Sequence, residues 1–276
     1  MPDIAWLNGE FTSLAAAKVS INDRGYVFAD GIYEVICTRE GRPFLMEAHL
    51  RRFENSAAGL NLPLPDNYRD WPDIIAAGLE KAGYPETMIY IQMTRGVMPR
   101  RHDVPHPLTP QVVMTFRPKP RVDPAALASG QAAITVEEIR WSHCFLKTIA
   151  LLPNVLMKQQ ARDQGCYEAI FVADDGEVHE GTAANVFFVR DGILYTPELG
   201  NYLLPGITRQ YIIDQAPAIG LQVVSKRCLL PEMLAADEVF VTSTTVDAMP
   251  IVKIDNQPIG DGKPGPVTRK VAALFQ

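Results

Sequence analysis

The sequence predicts an α+β fold, mixed α/β in detail and divided between two domains. Three observations point there. At 276 residues the chain exceeds what one hydrophobic core comfortably serves. Strand-like runs outnumber helical ones and mix hairpin signals with helical excursions, unlike the regular alternation of a parallel sheet. Midway, Arg117-Pro118-Lys119-Pro120-Arg121-Val122-Asp123-Pro124 sets three prolines within seven residues, a stretch that neither helix nor sheet continues through. The division is therefore a smaller α/β domain over 1–120 and a larger domain over 121–276 that carries Lys147.

Along the first domain, Gly31–Thr38 has the composition of a strand. Glu47–Leu60 reads as a helix, since Leu50, Phe53 and Ala57 fall on one face, and Asp73–Ala82 reads as a second. Met88–Arg95 and Gln111–Phe116 are strands, the latter running into the proline-rich linker. Beyond it, Ile134, Val136, Ile139 and Trp141 alternate as in a strand. Glu168–Val172 and Val186–Val189 flank the turn signal Asp174-Asp175-Gly176. Thr208–Ala216 reads as a helix opening after Pro205-Gly206, and Glu238–Val241 as a buried strand ending in Thr242-Ser243-Thr244-Thr245. The chain carries no internal repeat.

Composition removes several function classes. Hydrophobic residues make up 47% and charged residues 21%, and 26 basic against 32 acidic residues leave a net charge of −6. Without a Lys/Arg-rich stripe, nucleic acid is not an expected partner. No run approaches the roughly 18 apolar residues of a membrane span, and residues 1–20 lack the charged start and apolar core of a signal peptide. A cytoplasmic location follows, and Cys37, Cys144, Cys166 and Cys228 are expected there as reduced thiols. Neither they nor the five histidines show metal-ligand spacing, so no metal site is expected.

Lys147 is the chemical focus. It stands in Cys144-Phe145-Leu146-Lys147-Thr148-Ile149-Ala150-Leu151-Leu152, an otherwise uncharged run. Burial of an amine among apolar side chains disfavours its charged form and frees the lone pair, the condition for a Schiff-base lysine. Thirty-three positions on, Glu180 opens Glu180-Gly181-Thr182-Ala183-Ala184-Asn185. An imine-forming lysine and a carboxylate able to hold a pyridinium proton are what pyridoxal phosphate asks of a protein. The plainer alternative for Lys147 is an amine snorkelling from a strand end.

Two segments suit an anion. Leu203-Leu204-Pro205-Gly206-Ile207-Thr208-Arg209 leads a turn into a helix whose first N–H groups lack internal partners, and Thr242–Thr245 ends a strand in four hydroxyl residues. Both also serve as ordinary caps. Arg51 and Arg52 are adjacent on a helix and cannot point the same way; Arg52, beside Phe53, is the one turned inward. Pro99-Arg100-Arg101-His102 is a dense cationic loop in an acidic protein, fit to grip a carboxylate or to lie solvated at a loop tip. Tyr33 is an aromatic in a half-buried strand.

Taken together these segments resemble the fold type IV pyridoxal phosphate aminotransferases (class IV), and within them the bacterial D-amino acid transaminases. The likeness rests on Asp23-Arg24-Gly25-Tyr26, Phe28–Val35, His49–Phe53, Thr94-Arg95-Gly96 through His102, Ile139-Arg140-Trp141 to Lys147, and Gly165–Ile170. It continues through Glu180-Gly181 to Phe187, Gly206–Arg209 and Phe240–Thr245. The Pro99–His102 stretch is what distinguishes the D-amino acid branch.

The resemblance implies a two-domain architecture with the cofactor at the domain interface. It implies pyridoxal 5'-phosphate bound through Lys147, with Glu180 on the ring nitrogen and Leu204 packed on the ring. Arg52, the Ile207 and Thr208 amides, Thr244 and nearby Ser243 would hold the phosphate. Tyr33, Arg100 and His102 would trap the substrate carboxylate, the last two reaching in from the second subunit of a homodimer. Transamination between a D-amino acid such as D-alanine and a 2-oxo acid such as 2-oxoglutarate would follow. The alternatives are a branched-chain L-amino acid aminotransferase, an aminodeoxychorismate lyase of the same fold, or a catalytically idle anion- or cofactor-binding protein. Relatives of this branch carry serines where this chain has Thr182, Ala183 and Ala184, and Arg101 adds a charge beside the trap.

Overall fold

A computed structural model describes residues 3–275. The chain separates into two compact units. One runs to Pro120 and takes in Leu146–Ala150; the other comprises Arg121–Phe145 and the chain from Leu151 onward. Lys147 thus groups with the first unit and not, as read from sequence, with the C-terminal domain. Its backbone explains why: Tyr33 N donates to Lys147 O at 2.9 Å, Ile149 N to Gly31 O at 3.1 Å, and Lys147 N to Ser56 Oγ at 3.1 Å.

The first unit is built on β1 (Ile4–Leu7), β2 (Glu10–Ser13), α1 (Arg24–Phe28), β3 (Gly31–Arg39), β4 (Arg42–Pro43), α2 (Met46–Gly59), α3 (Trp71–Ala82), β5 (Thr87–Thr94) and β6 (Gln111–Pro118). Its strands form one antiparallel sheet in the order β2-β1-β6-β5-β3-β4. The helical periodicity read from sequence appears as burial: Phe53 and Ala57 of α2, Trp71 and Ile75 of α3 and Phe116 of β6 share one core, Phe53 meeting Trp71 edge-on at 5.1 Å. The predicted helix 47–60 lies one residue earlier. The proline-rich stretch is shared out: Pro118 ends β6, and Pro124 opens α4 (Pro124–Ser129), whose N-cap Asp123 accepts from Ala125 N at 2.9 Å.

The second unit continues from α4 with β7 (Gln131–Glu137), α5 (Leu152–Asp163), β8 (Glu168–Val172), β9 (Val178–Gly181), β10 (Asn185–Arg190), β11 (Ile193–Pro197) and α6 (Ile207–Gln215). It closes with β12 (Val223–Lys226), α7 (Leu230–Leu234), β13 (Glu238–Ser243), β14 (Asp247–Ile254), β15 (Gln257–Pro258) and α8 (Pro266–Ala273). The sheet order is β12-β11-β10-β13-β14-β7-β8-β9, with β15 beside β14. Pairings β11–β12, β14–β7 and β7–β8 are parallel and the others antiparallel, so the sheet is mixed. Its cores centre on Val186, Val241 and Met249 on one side and Phe187 and Phe240 on the other, these two rings stacked at 5.1 Å. Among the described residues no helix is long and apolar enough to cross a membrane.

One strand reading changes, and several strands, among them β1, β11 and β14, were not read from the sequence. The alternation continues past Glu137, but Ile139 and Trp141 lie outside β7 and are each 45% exposed. Val178–Gly181, unflagged in the sequence, forms β9.

Candidate active site

In the first unit, β3 alternates as a strand must: Ile32, Glu34 and Ile36 are fully buried, Tyr33 and Val35 half-buried. A carboxylate on the buried side needs partners, and α2 supplies them. Arg52 donates from Nε to Glu34 Oε2 at 2.9 Å and from Nη2 to Oε1 at 2.6 Å; His49 Nδ1 lies 3.0 Å from Oε1. Burial works to raise the Glu34 pKa, but the Arg52 charge and the His49 hydrogen bond outweigh it and hold the carboxyl well below its usual range. Burial lowers the His49 pKa, against the pull of Glu34 and with the Arg52 and Lys147 charges adding to the shift. Arg52 is buried and Arg51 exposed, so the adjacent arginines diverge.

Lys147 is half-buried, not enclosed by its apolar neighbours as the sequence suggested. Its Nζ lies 4.2 Å from the centre of the Tyr33 ring, which stacks in turn on Tyr90 at 5.7 Å. Tyr33 and Lys147 are therefore brought together directly.

Arg100 and His102 lie on an exposed loop, both against Phe28: the Arg100 guanidinium is 5.2 Å from the ring centre and the His102 ring 5.3 Å. Arg101 pairs with Asp103 through Nε at 2.7 Å and Nη2 at 2.6 Å. That pairing lowers the Asp103 pKa and leaves Arg101 locally neutralised.

In the second unit, Glu180 on β9 is held by side chains and backbone together. Arg140 Nη1 donates to Oε1 at 2.6 Å, Leu204 N to Oε2 at 3.0 Å and Asn185 Nδ2 to Oε2 at 3.1 Å. Arg140 is itself fixed, donating to Glu138 through Nε (2.8 Å) and Nη2 (2.6 Å) and to Tyr202 O at 2.9 Å, and lying 4.2 Å from the Phe171 ring centre. His179 Nδ1 sits 2.8 Å from Glu138 Oε2, and its ring stacks on Tyr202 at 4.9 Å. Burial raises the Glu138 pKa; the Arg140 and His179 hydrogen bonds overcome this and bring it to about 2. Burial also pushes the Cys144 thiol up to about 12, which makes it a packing residue and not a nucleophile.

Leu204 contributes its backbone to the same cluster, since its carbonyl accepts from Asn185 Nδ2 at 3.0 Å. Just beyond, α6 starts at Gly206 with no side chain capping it, and Ile207 and Thr208 form its first turn. The glycine is required: a Cβ there would lie 1.9 Å from Asn185 Oδ1. Ser243 ends β13, against which α6 packs, and Thr244 begins the turn to β14. The adjacent Thr242 Oγ1 is buried without a hydrogen-bond partner. An uncapped helix start and an orphaned hydroxyl beside further hydroxyls fit an anionic group such as a phosphate.

Thr182 uses its hydroxyl internally: Oγ1 donates to the buried Glu168, and Asn154 Nδ2 donates to its carbonyl at 2.8 Å. The sequence assigned no role to Glu34, His49, Glu138, Arg140 or Asn185. One signal was available, a charge at the inward position between Ile32 and Ile36. Among the described residues no group of His, Cys, Asp and Glu is arranged to hold a metal ion.

Residues 31–254 match the family described as Amino-transferase class IV. The chain belongs to the class IV aminotransferases. It is 40% identical over 271 residues to the D-alanine aminotransferase of Staphylococcus haemolyticus, covering 98% of this chain and 95% of that protein. The D-alanine aminotransferase of Bacillus licheniformis is 36% identical over 271 residues, with 98% and 94% covered. Among solved structures, the Escherichia coli branched-chain amino acid aminotransferase matches with a TM-score of 0.92 at 25% identity, covering 100% of this chain and 94% of that one. A T.th. branched-chain amino acid aminotransferase with pyridoxamine 5'-phosphate matches at 0.91 and 27% identity, with 100% and 93% covered.

Proposed function

We propose that this protein is a pyridoxal phosphate-dependent D-amino acid transaminase, moving an amino group from a D-amino acid such as D-alanine to a 2-oxo acid such as 2-oxoglutarate by ping-pong kinetics. The observation that carries the reading is the 36–40% identity to D-alanine aminotransferases along 98% of the chain. A pyridoxal-type cofactor accords with family membership and with the pyridoxamine 5'-phosphate named for a solved relative. When bound, that cofactor supplies an electron sink for negative charge developing at the substrate Cα.

The roles of the chain's own groups follow from their chemistry. Lys147 would hold the cofactor through Nζ, and its amine, when free, would carry the proton that leaves and returns to the substrate Cα. Glu180, fixed by Arg140, Asn185 and the Leu204 amide, keeps the ring nitrogen protonated, and Leu204 packs on the ring. The Ile207 and Thr208 amides, Ser243, Thr244 and Arg52 bind the phosphate, Arg52 being aimed by its two-pronged pairing with Glu34. Tyr33, Arg100 and His102 grip the substrate carboxylate, the last two serving the neighbouring site of a homodimer.

Handedness depends on that grip. A lysine that moves the proton from a fixed position would require the Cα–H bond to point towards it. Exchanging the carboxylate and side-chain positions then inverts the enantiomer accepted. The wrong enantiomer would leave the Arg100 guanidinium without its carboxylate, so discrimination is expected to be large. A cytoplasmic location accords with the lack of a membrane-crossing helix among the described residues.

The branched-chain L-amino acid reading draws on the backbone match to solved structures, at the lower identity of 25–27%. Assays with D-alanine and L-alanine in parallel, 2-oxoglutarate as acceptor, separate the two. Faster turnover with D-alanine supports the proposal, whereas L-leucine or L-valine outpacing D-alanine replaces it with the branched-chain activity. Borohydride reduction and peptide mapping should label Lys147; a label on Lys158 would refute its role.

A further inference from the structure

We propose that Arg24 is a positioning residue that holds the Pro99–His102 loop in its gripping geometry and thereby sets the affinity for the substrate carboxylate, an inference that rests on the D-amino acid transaminase reading. Residues 99–107 are exposed, and such a loop left to itself samples many conformations. Ordering it at each binding event would subtract directly from substrate affinity. The structure supplies an anchor in advance.

Arg24 is buried, its side chain only 7% exposed. Its guanidinium donates from Nη1 to Arg101 O at 2.7 Å and from Nη2 to His102 O at 3.2 Å, with Met98 Sδ 3.7 Å from Nη1. The third nitrogen, Nε, donates to Asp30 Oδ2 at 2.7 Å. Asp30 is shared with Arg95, whose Nε lies 2.9 Å from the same oxygen. Arg95 in turn donates from Nη2 to Leu60 O at 3.0 Å and from Nη1 to Asn61 O at 3.1 Å, just past α2. The loop is thus tied through two guanidiniums and one carboxylate to the helix that carries Arg52. Burial raises the Asp30 pKa, but the hydrogen bonds and charges of Arg95 and Arg24 prevail and keep it below its ordinary value.

The backbone fixes the loop's root as well. Arg24 N donates to Gly96 O at 2.9 Å and Met98 N to Asn22 O at 3.3 Å, around a bridge between Asp23 and Val97. Gly96 has φ of +122°, and a Cβ there would lie 2.4 Å from Thr109 O, so this crossing admits only glycine. With the Arg101 and His102 carbonyls drawn to Arg24, the Arg100 and His102 side chains meet at Phe28, whose ring Arg24 also approaches at 5.0 Å. Arg101 is turned to Asp103 instead. This accounts for two arginines in succession: one supplies the cation for the grip, the other is spent within the loop.

Lysine cannot replace Arg24. Its three donors radiate from one nitrogen, whereas the planar fork reaches a carboxylate on one edge and two successive carbonyls on the other. Holoenzyme of wild type and R24K is compared by steady-state kinetics with D-alanine and by hydrogen–deuterium exchange. R24K should raise KM for D-alanine roughly tenfold while kcat stays within about threefold. The visible cofactor absorbance should be unchanged, and exchange should accelerate in 97–104 but not in 71–82. An independent variant, F28L, removes the shared ring and should also raise KM.

Unchanged KM in R24K overturns the proposal, as does raised KM with unaltered exchange in 97–104. Acceleration spread evenly over both segments, which would mark general destabilisation, overturns it too. If wild type fails to turn over D-alanine, the parent function falls instead, and the exchange comparison still decides whether Arg24 holds the loop.

Discussion

The Glu180 carboxylate accepts hydrogen bonds from Arg140, Asn185 and the Leu204 amide, and the arginine, which makes the shortest of these, is itself clamped by Glu138. A group so constrained loses little by reorganising during a reaction, which is where preorganised electrostatics contribute most. Glu180→Gln should therefore lower kcat by about 10²–10³-fold while leaving cofactor binding nearly intact, as read by absorbance titration and steady-state kinetics. Arg140→Met should do something different. It deprives two nearly buried carboxylates, Glu138 and Glu180, of their shared cation, their side chains being 6% and 8% exposed. The variant should lose about 3–5 kcal/mol of stability in denaturant titration. Lys147, Glu180 and Arg100 stand out as candidates by residue type and neighbours. The supporting groups do not, because Arg140 and Glu180 lie 40 positions apart and only folding makes them partners.

At the scale of elements, the start of α6 is the most constrained join. Gly206 lets Asn185 reach both Glu180 and the Leu204 carbonyl. Gly206→Ala should displace that amide, cost about 1–3 kcal/mol by overpacking, and weaken phosphate-dependent cofactor affinity; thermal melts with and without pyridoxal phosphate measure both effects. Long periodic elements such as α2 and β3 were legible because burial repeats along them. β9 was not: its four residues are all buried, so no alternation exists to read. The run after β7 is more instructive. Alternation is present there, but Glu138 and Arg140 turn inward while Ile139 and Trp141 face out. Periodicity reveals that a segment has two faces; ion pairing decided which one is buried.

For the whole molecule, acid should be the weak flank. The Arg140 and His179 hydrogen bonds bring the Glu138 pKa from an ordinary 4.5 down to about 2, and Glu34 and Asp30 are lowered as well. A carboxyl lowered by folding contributes stability that is complete above its unfolded value and is lost as pH falls towards its folded one. Unfolding free energy should thus hold steady down to about pH 5 and then drop steeply towards pH 2, as followed by circular dichroism. In the proposed homodimer, mixing Lys147→Ala with Arg100→Ala protein should restore one intact site per hybrid. Proven subunit exchange without recovered activity would refute sharing. The proline-rich stretch was legible as a division near residue 120, since imino acids leave their mark locally. The return of Leu146–Ala150 to the first unit rests on β-sheet hydrogen bonds that no local signal announces.

During synthesis the N-terminus emerges first, and leading domains ordinarily fold before trailing ones. Here the edge of β3 at Gly31 and Tyr33 waits for the backbone of Lys147 and Ile149. The leading unit therefore stays unfinished until Ala150 has left the ribosome, with Arg121–Phe145 already exposed. A gene cut at the proline-rich stretch yields a front half without the Leu146–Ala150 segment that bridges β3. The two halves are separate cores but a single unit of biogenesis.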